Sequence, residues 1–165
     1  MKGCEYMIFA EELCDVFERG KGCYLVHCIS SDYALEADSS AKFREMGVVE
    51  LLREKYPEVQ KKYEPCCLET SAGSDSDNYK GVFHLVTRER CEQKPTYESL
   101  KDALMDMREQ IKCKYEHGEK ITVVMPLIDC GIDMLDWDVV REVITDVFLE
   151  ASLVLIACHP DTQKI

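Results

Sequence analysis

Apolar residues fall along this chain in two alternating rhythms: short unbroken runs, and longer stretches in which they recur three and four positions apart. Residues 6–10 and 22–30 are of the first kind. The second of these, Cys23-Tyr24-Leu25-Val26-His27-Cys28-Ile29, is nearly continuous, as expected of a strand covered on both faces. Residues 40–56 read as a helix with Val48, Leu51, Leu52 and Tyr56 on one face, interrupted around Gly47 and closed by Pro57. Segments 65–70 and 79–88 form the next strand pair. Between them, Ser71-Ala72-Gly73-Ser74-Asp75-Ser76-Asp77-Asn78 has the composition of a solvated, mobile turn. Thr96 is placed to cap a long amphipathic helix whose stripe is Tyr97, Leu100, Leu104, Met107, Ile111 and Tyr115, a periodicity that predicts core packing, and Gly118 ends it. Residues 121–125 read as a strand, 136–151 as a helix through Val140, Val143, Ile144, Val147 and Phe148, and 153–158 as a last strand.

This alternation predicts an α/β fold with a largely parallel sheet covered on both sides. Ligands of such sheets lie beyond the carboxyl ends of the strands, here after Ile29, Thr87 or Met125. The 165 residues suffice for one core, and no internal repeat or linker divides them, so 1–165 is expected to be a single domain. Apolar residues at 46% and charged residues at 32% are a globular balance.

The formal net charge of −12 disfavours duplex nucleic acid and anionic lipid surfaces. A small phosphate-bearing ligand stays compatible with it, held by backbone amides at a helix start. The apolar runs fall far short of the roughly 20 residues that span a bilayer, and the N-terminus lacks the pattern of a signal peptide. The ten cysteines are therefore expected as buried or free thiols in a reducing compartment, the cytosol or nucleus. They form no CxxC pair, and the four histidines fall into no HExxH or finger-like spacing, so neither a zinc site nor another metal is expected. Cys66 and Cys67, on an extended segment, point to opposite faces.

Three loops follow the strand ends: residues 30–38, Thr87-Arg88-Glu89-Arg90, and Leu127-Ile128-Asp129-Cys130-Gly131-Ile132-Asp133. In the last, a strand ending at Met125-Pro126, a turn at Gly131 and a helix start near Asp136 offer free backbone amides to an anion.

The chain resembles a macro domain of the terminal ADP-ribose protein glycohydrolase type. The resemblance covers most of its length. It is carried by His27-Cys28-Ile29-Ser30 with Asp32, by Lys94-Pro95-Thr96-Tyr97-Glu98-Ser99-Leu100, and by Met125-Pro126 with Cys130-Gly131-Ile132-Asp133-Met134-Leu135-Asp136-Trp137. It implies a three-layer α/β/α fold with a mixed, largely parallel sheet and a cleft for ADP-ribose. The implied activity removes ADP-ribose from acidic side chains or deacylates O-acyl-ADP-ribose, with no cofactor. Asp15 matches the family's adenine ligand and Asp133 its catalytic aspartate. Val16, Ser30, Thr87, Ile128, Cys130, Gly131 and Ile132 match further ligand-binding positions.

Several positions depart from the pattern. Arg88 stands where the family has its nucleophilic lysine, and a guanidinium stays charged and delocalised, so it binds an anion but does not attack an anomeric carbon. Lys94 belongs to a separate motif. Glu36-Ala37-Asp38 replaces a Gly-Ala-Gly phosphate turn, Asp129 replaces a glycine beside the second phosphate loop, and Leu127 replaces a basic residue. A side chain in a left-handed conformation costs roughly 1–2 kcal/mol, and a carboxylate near a diphosphate adds repulsion. The expectation is a non-catalytic module that reads ADP-ribose or ADP-ribosylated protein weakly or contacts a protein partner. The alternative is a hydrolase working through Asp133. A thiol redox protein, with Cys130 as its reactive group, is a third class resting on cysteine number alone.

Overall fold

The computed structural model describes residues 7–35, 41–130 and 135–160. The strands are β1 (Met7–Leu13), β2 (Tyr24–Ser30), β3 (Cys66–Thr70), β4 (Gly81–Arg88), β5 (Thr122–Met125) and β6 (Leu153–His159). The helices are α1 (Val16–Arg19), α2 (Ala41–Glu45), α3 (Val48–Lys55), α4 (Pro57–Lys61), α5 (Tyr97–Glu116) and α6 (Trp137–Phe148). One sheet runs in the order β1-β6-β5-β2-β4-β3. Its strands are parallel except β3, which is antiparallel to β4.

Side-chain alternation along β2 and β4 divides the core in two. Tyr24, Val26, Phe83 and Leu85 face α5 and α6, where Leu100, Leu104, Met107, Val140 and Ile144 close on them. Leu25, Ile29, Val82 and Val86 face the opposite side and meet Phe43, Met46, Val48 and Leu52 from α2, α3 and their junction. The result is the three-layer α/β/α arrangement, and double coverage is why these two strands read as unbroken apolar runs. Cys67 packs in the first cluster and Cys66 against the second, so the adjacent pair does point to opposite faces.

Helix α5 starts at a reciprocal cap. The Ser99 N–H donates to Thr96 Oγ1 at 3.0 Å and the Thr96 N–H donates to Ser99 Oγ at 3.1 Å. Its stripe is buried from Leu100 to Ile111, whereas Tyr97 and Tyr115 at the two ends are partly exposed. Tyr97 Oη accepts the Asp136 N–H at 3.0 Å, which ties the start of α5 to the start of α6.

One expectation changes, and two hold with an addition. Pro57 closes α3, which stops at Lys55 with Tyr56 as its cap, and it is also the first residue of α4, where its missing N–H is of no consequence and its fixed φ suits a helix start. Strand β1 runs past its apolar stretch to Leu13, because Glu11 and Glu12 continue the ladder opposite Ala157 and Cys158 while their carboxylates meet Arg141 and Arg19. Residues 71–78 are a largely exposed turn, as expected, with Ser71, Ser74 and Ser76 to Asn78 open to solvent, but the segment is anchored at Ala72 and Gly73. Ala72 is fully buried at a φ of 72°, and Ser74 N–H donates to Met46 O at 2.8 Å. A Cβ on Gly73 would lie 1.8 Å from that same carbonyl, so only glycine lets this segment dock on the α2–α3 junction. That junction is where Gly47, at a φ of 81°, splits the helix as its sequence predicts. Among the described residues no helix is long and apolar enough to cross a membrane.

Candidate ligand site at the carboxyl ends of the strands

Strands β2, β4 and β5 are parallel neighbours and finish at one edge of the sheet, with Ser30, Arg88 and Met125 as their last residues. The β2–β4 register slips between Ile29 and Ser30, so that Ile29 faces Val86 and Ser30 faces Arg88. Thr87 is thus the extra residue of a bulge, a device that turns a side chain aside at the end of a ladder. Beyond the strands the two loops stay laced. Ser31 N–H donates to Arg88 O at 2.9 Å, and Ser31 Oγ donates to Glu89 O at 3.0 Å. Ser30 Oγ donates to Asp32, whose carboxylate also accepts the Ala34 N–H.

Against this edge lies the loop after β5. Asp129 adopts a φ of 53°, the left-handed conformation that glycine takes without strain. Leu135 N–H donates to Asp129 O at 2.8 Å, closing the loop from the far side. The Asp129 carboxylate meets Arg88 Nη1 at 3.3 Å, with the two side chains 3% and 15% exposed. Arg88 Nη1 also lies 3.5 Å from Thr87 Oγ1. Arg88 Nε and Asp129 Oδ2 are buried and lack a partner of hydrogen-bonding geometry. Burial raises the Asp129 carboxyl above its ordinary range, against the lowering effects of the Thr87 hydroxyl, the Arg88 guanidinium and the Cys28 thiol. Each side of this buried ion pair therefore keeps one polar atom outside its hydrogen-bond network.

The structure brings Ser30, Thr87, Arg88, Ile128 and Cys130 to this edge. Ile128 is a buried core residue, so only its backbone can face a ligand. Cys130 is half-buried, and its thiol is pushed up to about 11, first by burial and then by Asp129 and Asp136. That is the reverse of a reactive thiolate. Asp15 and Val16 stand apart from these, at the end of β1. Asp15 Oδ2 caps α1 by accepting the Glu18 N–H at 3.0 Å, and α1 leans on β5. Gly131, Ile132 and Asp133 lie outside the described residues, as do Glu36, Ala37 and Asp38. Lys94 is exposed.

Other features compete poorly for the role. Asp32, Cys91 and Glu92 converge as potential metal ligands, but Asp32 already accepts two hydrogen bonds and Glu92 pairs with Arg90 at 3.1 Å. A cavity of about 540 Å³ opens where α6 runs into β6, bordered by Arg108, Tyr115, Val147 and Leu149. It adjoins the segment that leads into β6, away from the carboxyl ends of the strands, and its charged lining of Arg108, Glu109, Lys112, Asp146 and Glu150 comes from α5, α6 and the turn after α6.

No family model matches the chain. It is 32% identical over 126 residues to the ADP-ribose glycohydrolase OARD1 of Bos taurus, covering 75% of this chain and 73% of the relative. Against the protein of the same name from Homo sapiens it is 32% identical over 136 residues, with coverages of 81% and 80%. The chain belongs to the OARD1 family of macro domains. Among solved structures, an Oceanobacillus iheyensis macrodomain mutant with ADPR superposes with a TM-score of 0.64 at 13% identity, over 90% of this chain and 83% of that one. At that identity the match establishes the macrodomain fold alone.

Within the macro domain, sequence reasoning missed three arrangements. It noted Asp129 only as a lost glycine, whereas the carboxylate is the partner of Arg88. It passed over Glu11, which accepts hydrogen bonds from Trp137 Nε1 and from Arg141 Nε, each at 2.8 Å, and lies 2.8 Å from His159 Nε2. It did not connect His27 with His84, whose ring nitrogens meet at 2.7 Å. All three join segments far apart in the chain. The one available signal was two histidines at like positions in the two most apolar strands.

Proposed function

We propose that residues 1–165 form one macro domain that binds ADP-ribose, free or on protein, weakly and without cleaving it. The observation that carries this reading is the Arg88–Asp129 pair at 3.3 Å. In the family pattern an amine stands at position 88 and attacks the anomeric carbon. A guanidinium held by a carboxylate is permanently charged and has no nucleophilic lone pair, so it offers charge to an anion and nothing to a covalent adduct. Asp129 tempers that charge, because an incoming diphosphate has to compete with a carboxylate already in contact. Asp15 supplies the adenine contact in this reading through the carboxylate oxygen that the cap of α1 does not use, since Oδ2 accepts the Glu18 N–H.

Calorimetric titration with ADP-ribose tests the binding, with Asp15→Ala as its control and circular dichroism to check folding. Single-turnover incubation with an ADP-ribosylated glutamate peptide tests the absence of cleavage. The expected result is saturable, Asp15-dependent binding with release no faster than in buffer. Cleavage that disappears in Asp133→Asn would overturn the non-catalytic reading and restore the hydrolase. No heat up to millimolar ligand would remove ADP-ribose as the ligand of this fold.

A further inference from the structure

At the outer flank of the sheet β1 and β6 end side by side. Their parallel ladder runs from Met7 opposite Leu153 to Leu13 opposite His159, and Cys14 N–H donates to His159 O at 3.2 Å, one residue past it. Cys14 and Cys158 pack on the same side of the sheet, in the cluster that faces α2 and α3. Their sulfurs stand 2.7 Å apart. A covalent S–S bond measures about 2.05 Å, so a displacement of well under an ångström separates this dithiol from a disulfide. Cys14 is half-buried and Cys158 buried, which gives the pair one member open to a reagent and one sheltered behind it.

We propose that Cys14 and Cys158 are a reversible disulfide site that takes a low-molecular-weight disulfide of the glutathione type and, once oxidised, ties the end of β1 to the end of β6. In the first step the Cys14 thiol loses its proton to water and its sulfur attacks one sulfur of the oxidant. The oxidant's S–S bond breaks, one small thiol leaves, and a mixed disulfide remains on Cys14. In the second step Cys158 loses its proton and attacks the Cys14 sulfur, expelling the second small thiol. Two protein thiols are oxidised and one small disulfide is reduced to two thiols, so atoms and electrons balance. Burial, then the neighbouring Cys14, push the Cys158 thiol up to about 12. Cys158 therefore acts only as the resolving partner, by proximity, once Cys14 has reacted.

The bond would fix the chain immediately before Asp15, the cap of α1. It stands or falls separately from the ADP-ribose reading. The test uses the full chain, reduced and then incubated with oxidised glutathione. Remaining thiols are alkylated, and the protein is digested and mapped by mass spectrometry without reduction. The expected result is a peptide joining Cys14 to Cys158 that dithiothreitol reverses, together with a melting temperature raised by several degrees over the reduced protein. That rise is absent in Cys14→Ser, whose position is half-buried and tolerates the change; the wild-type peptide map decides the question even if that variant folds poorly. Glutathione retained on Cys14 without transfer to Cys158, or complete alkylation of both cysteines after the incubation, would overturn the proposal.

Discussion

Two buried polar clusters lie near each other in this sheet, and they are finished differently. In the first, His27 and His84 are Cα partners on adjacent strands. Their ring nitrogens meet at 2.7 Å, His84 Nε2 meets Thr70 Oγ1 at 2.8 Å, and His27 stacks on Phe43 with ring centroids 3.8 Å apart. The cluster is neutral and its polar contacts are closed. In the second, Arg88 and Asp129 meet at 3.3 Å, Arg88 also lies 3.5 Å from Thr87 Oγ1, and Arg88 Nε and Asp129 Oδ2 are left without partners. Polar groups that serve only the fold are satisfied within it. The Arg88–Asp129 pair, with an unpartnered atom on each side, lies at the carboxyl ends of parallel strands, the position at which open α/β sheets generally bind ligands.

Acid should expose the first cluster most strongly. Burial, followed by the charge of Arg88, lowers His27 from 6.5 to about 3, and burial lowers His84 well below 6.5. Below pH 6.5 the unfolded chain protonates both rings while the folded chain keeps them neutral. The unfolded state then binds more protons, and stability falls as pH drops from about 6.5 towards 3. Between pH 7 and 5 the expected loss is about 2 kcal/mol per histidine. Urea unfolding at the two pH values measures it, with His27→Leu/His84→Leu as the reference that should lose this dependence. An equal slope in that variant would show that the two rings titrate normally.

The second cluster is broken by Arg88→Met. Removing one member of a buried ion pair strands the other, at about 3 kcal/mol or more. Asp129, already raised by burial, would recover part of this by taking up a proton. The urea midpoint should therefore fall less at pH 5 than at pH 7, and Arg88→Met/Asp129→Asn should recover most of the loss. A single variant within 0.5 kcal/mol of wild type, the range of ordinary surface substitutions, would mean that the pair is solvated.

Asp129→Gly sharpens the comparison from the ligand side. It removes the carboxylate that competes for Arg88 and returns a left-handed position, φ 53°, to the residue that adopts it without strain. Affinity for ADP-ribose should rise about tenfold, equivalent to about 1.4 kcal/mol. A weaker complex would make Asp129 a contributor to the ligand site and not a competitor in it.

The same contrast explains what the chain disclosed before its structure was seen. The layers, the doubly covered strands and the α5 stripe were legible because they depend on local periodicity and on burial of whole faces. Gly47 as a break was legible because a positive φ has a residue signature. Pro57 was legible as the end of α3 but not as the start of α4, because one residue can both end a helix and begin the next. Residues 71–78 are mostly exposed as their composition predicts, but their anchor was not legible, because Ser, Asp and Gly mark a turn whether it meets water or, as at Ala72 and Gly73, a neighbouring helix junction. Arg88 was recognisable as a departure from a pattern, but its contact with Asp129 depended on a bulge at Thr87 and a left-handed turn 41 residues further on, and neither leaves a periodic trace.

Glu11 offers the smallest and cleanest test of that last point. Its carboxylate gathers Trp137, Arg141 and His159 and thereby fixes the first turn of α6 to the flank of the sheet. The Arg141 hydrogen bonds lead in holding it down, from 4.5 to about 2, against a partial rise from burial. A depressed carboxylate stabilises the fold above its unfolded value and loses that contribution as pH falls through the folded one. The effect is present at pH 5 and fades between about 4.5 and 2, below most of the range in which the histidines act. The site is partly exposed, so solvent screening keeps the contribution small, below about 1 kcal/mol. Glu11→Gln should lower the urea midpoint slightly at pH 6 and less at pH 3, and added salt should shrink the difference. A loss that salt leaves unchanged would assign the role of Glu11 to packing against Trp137 and not to its charge.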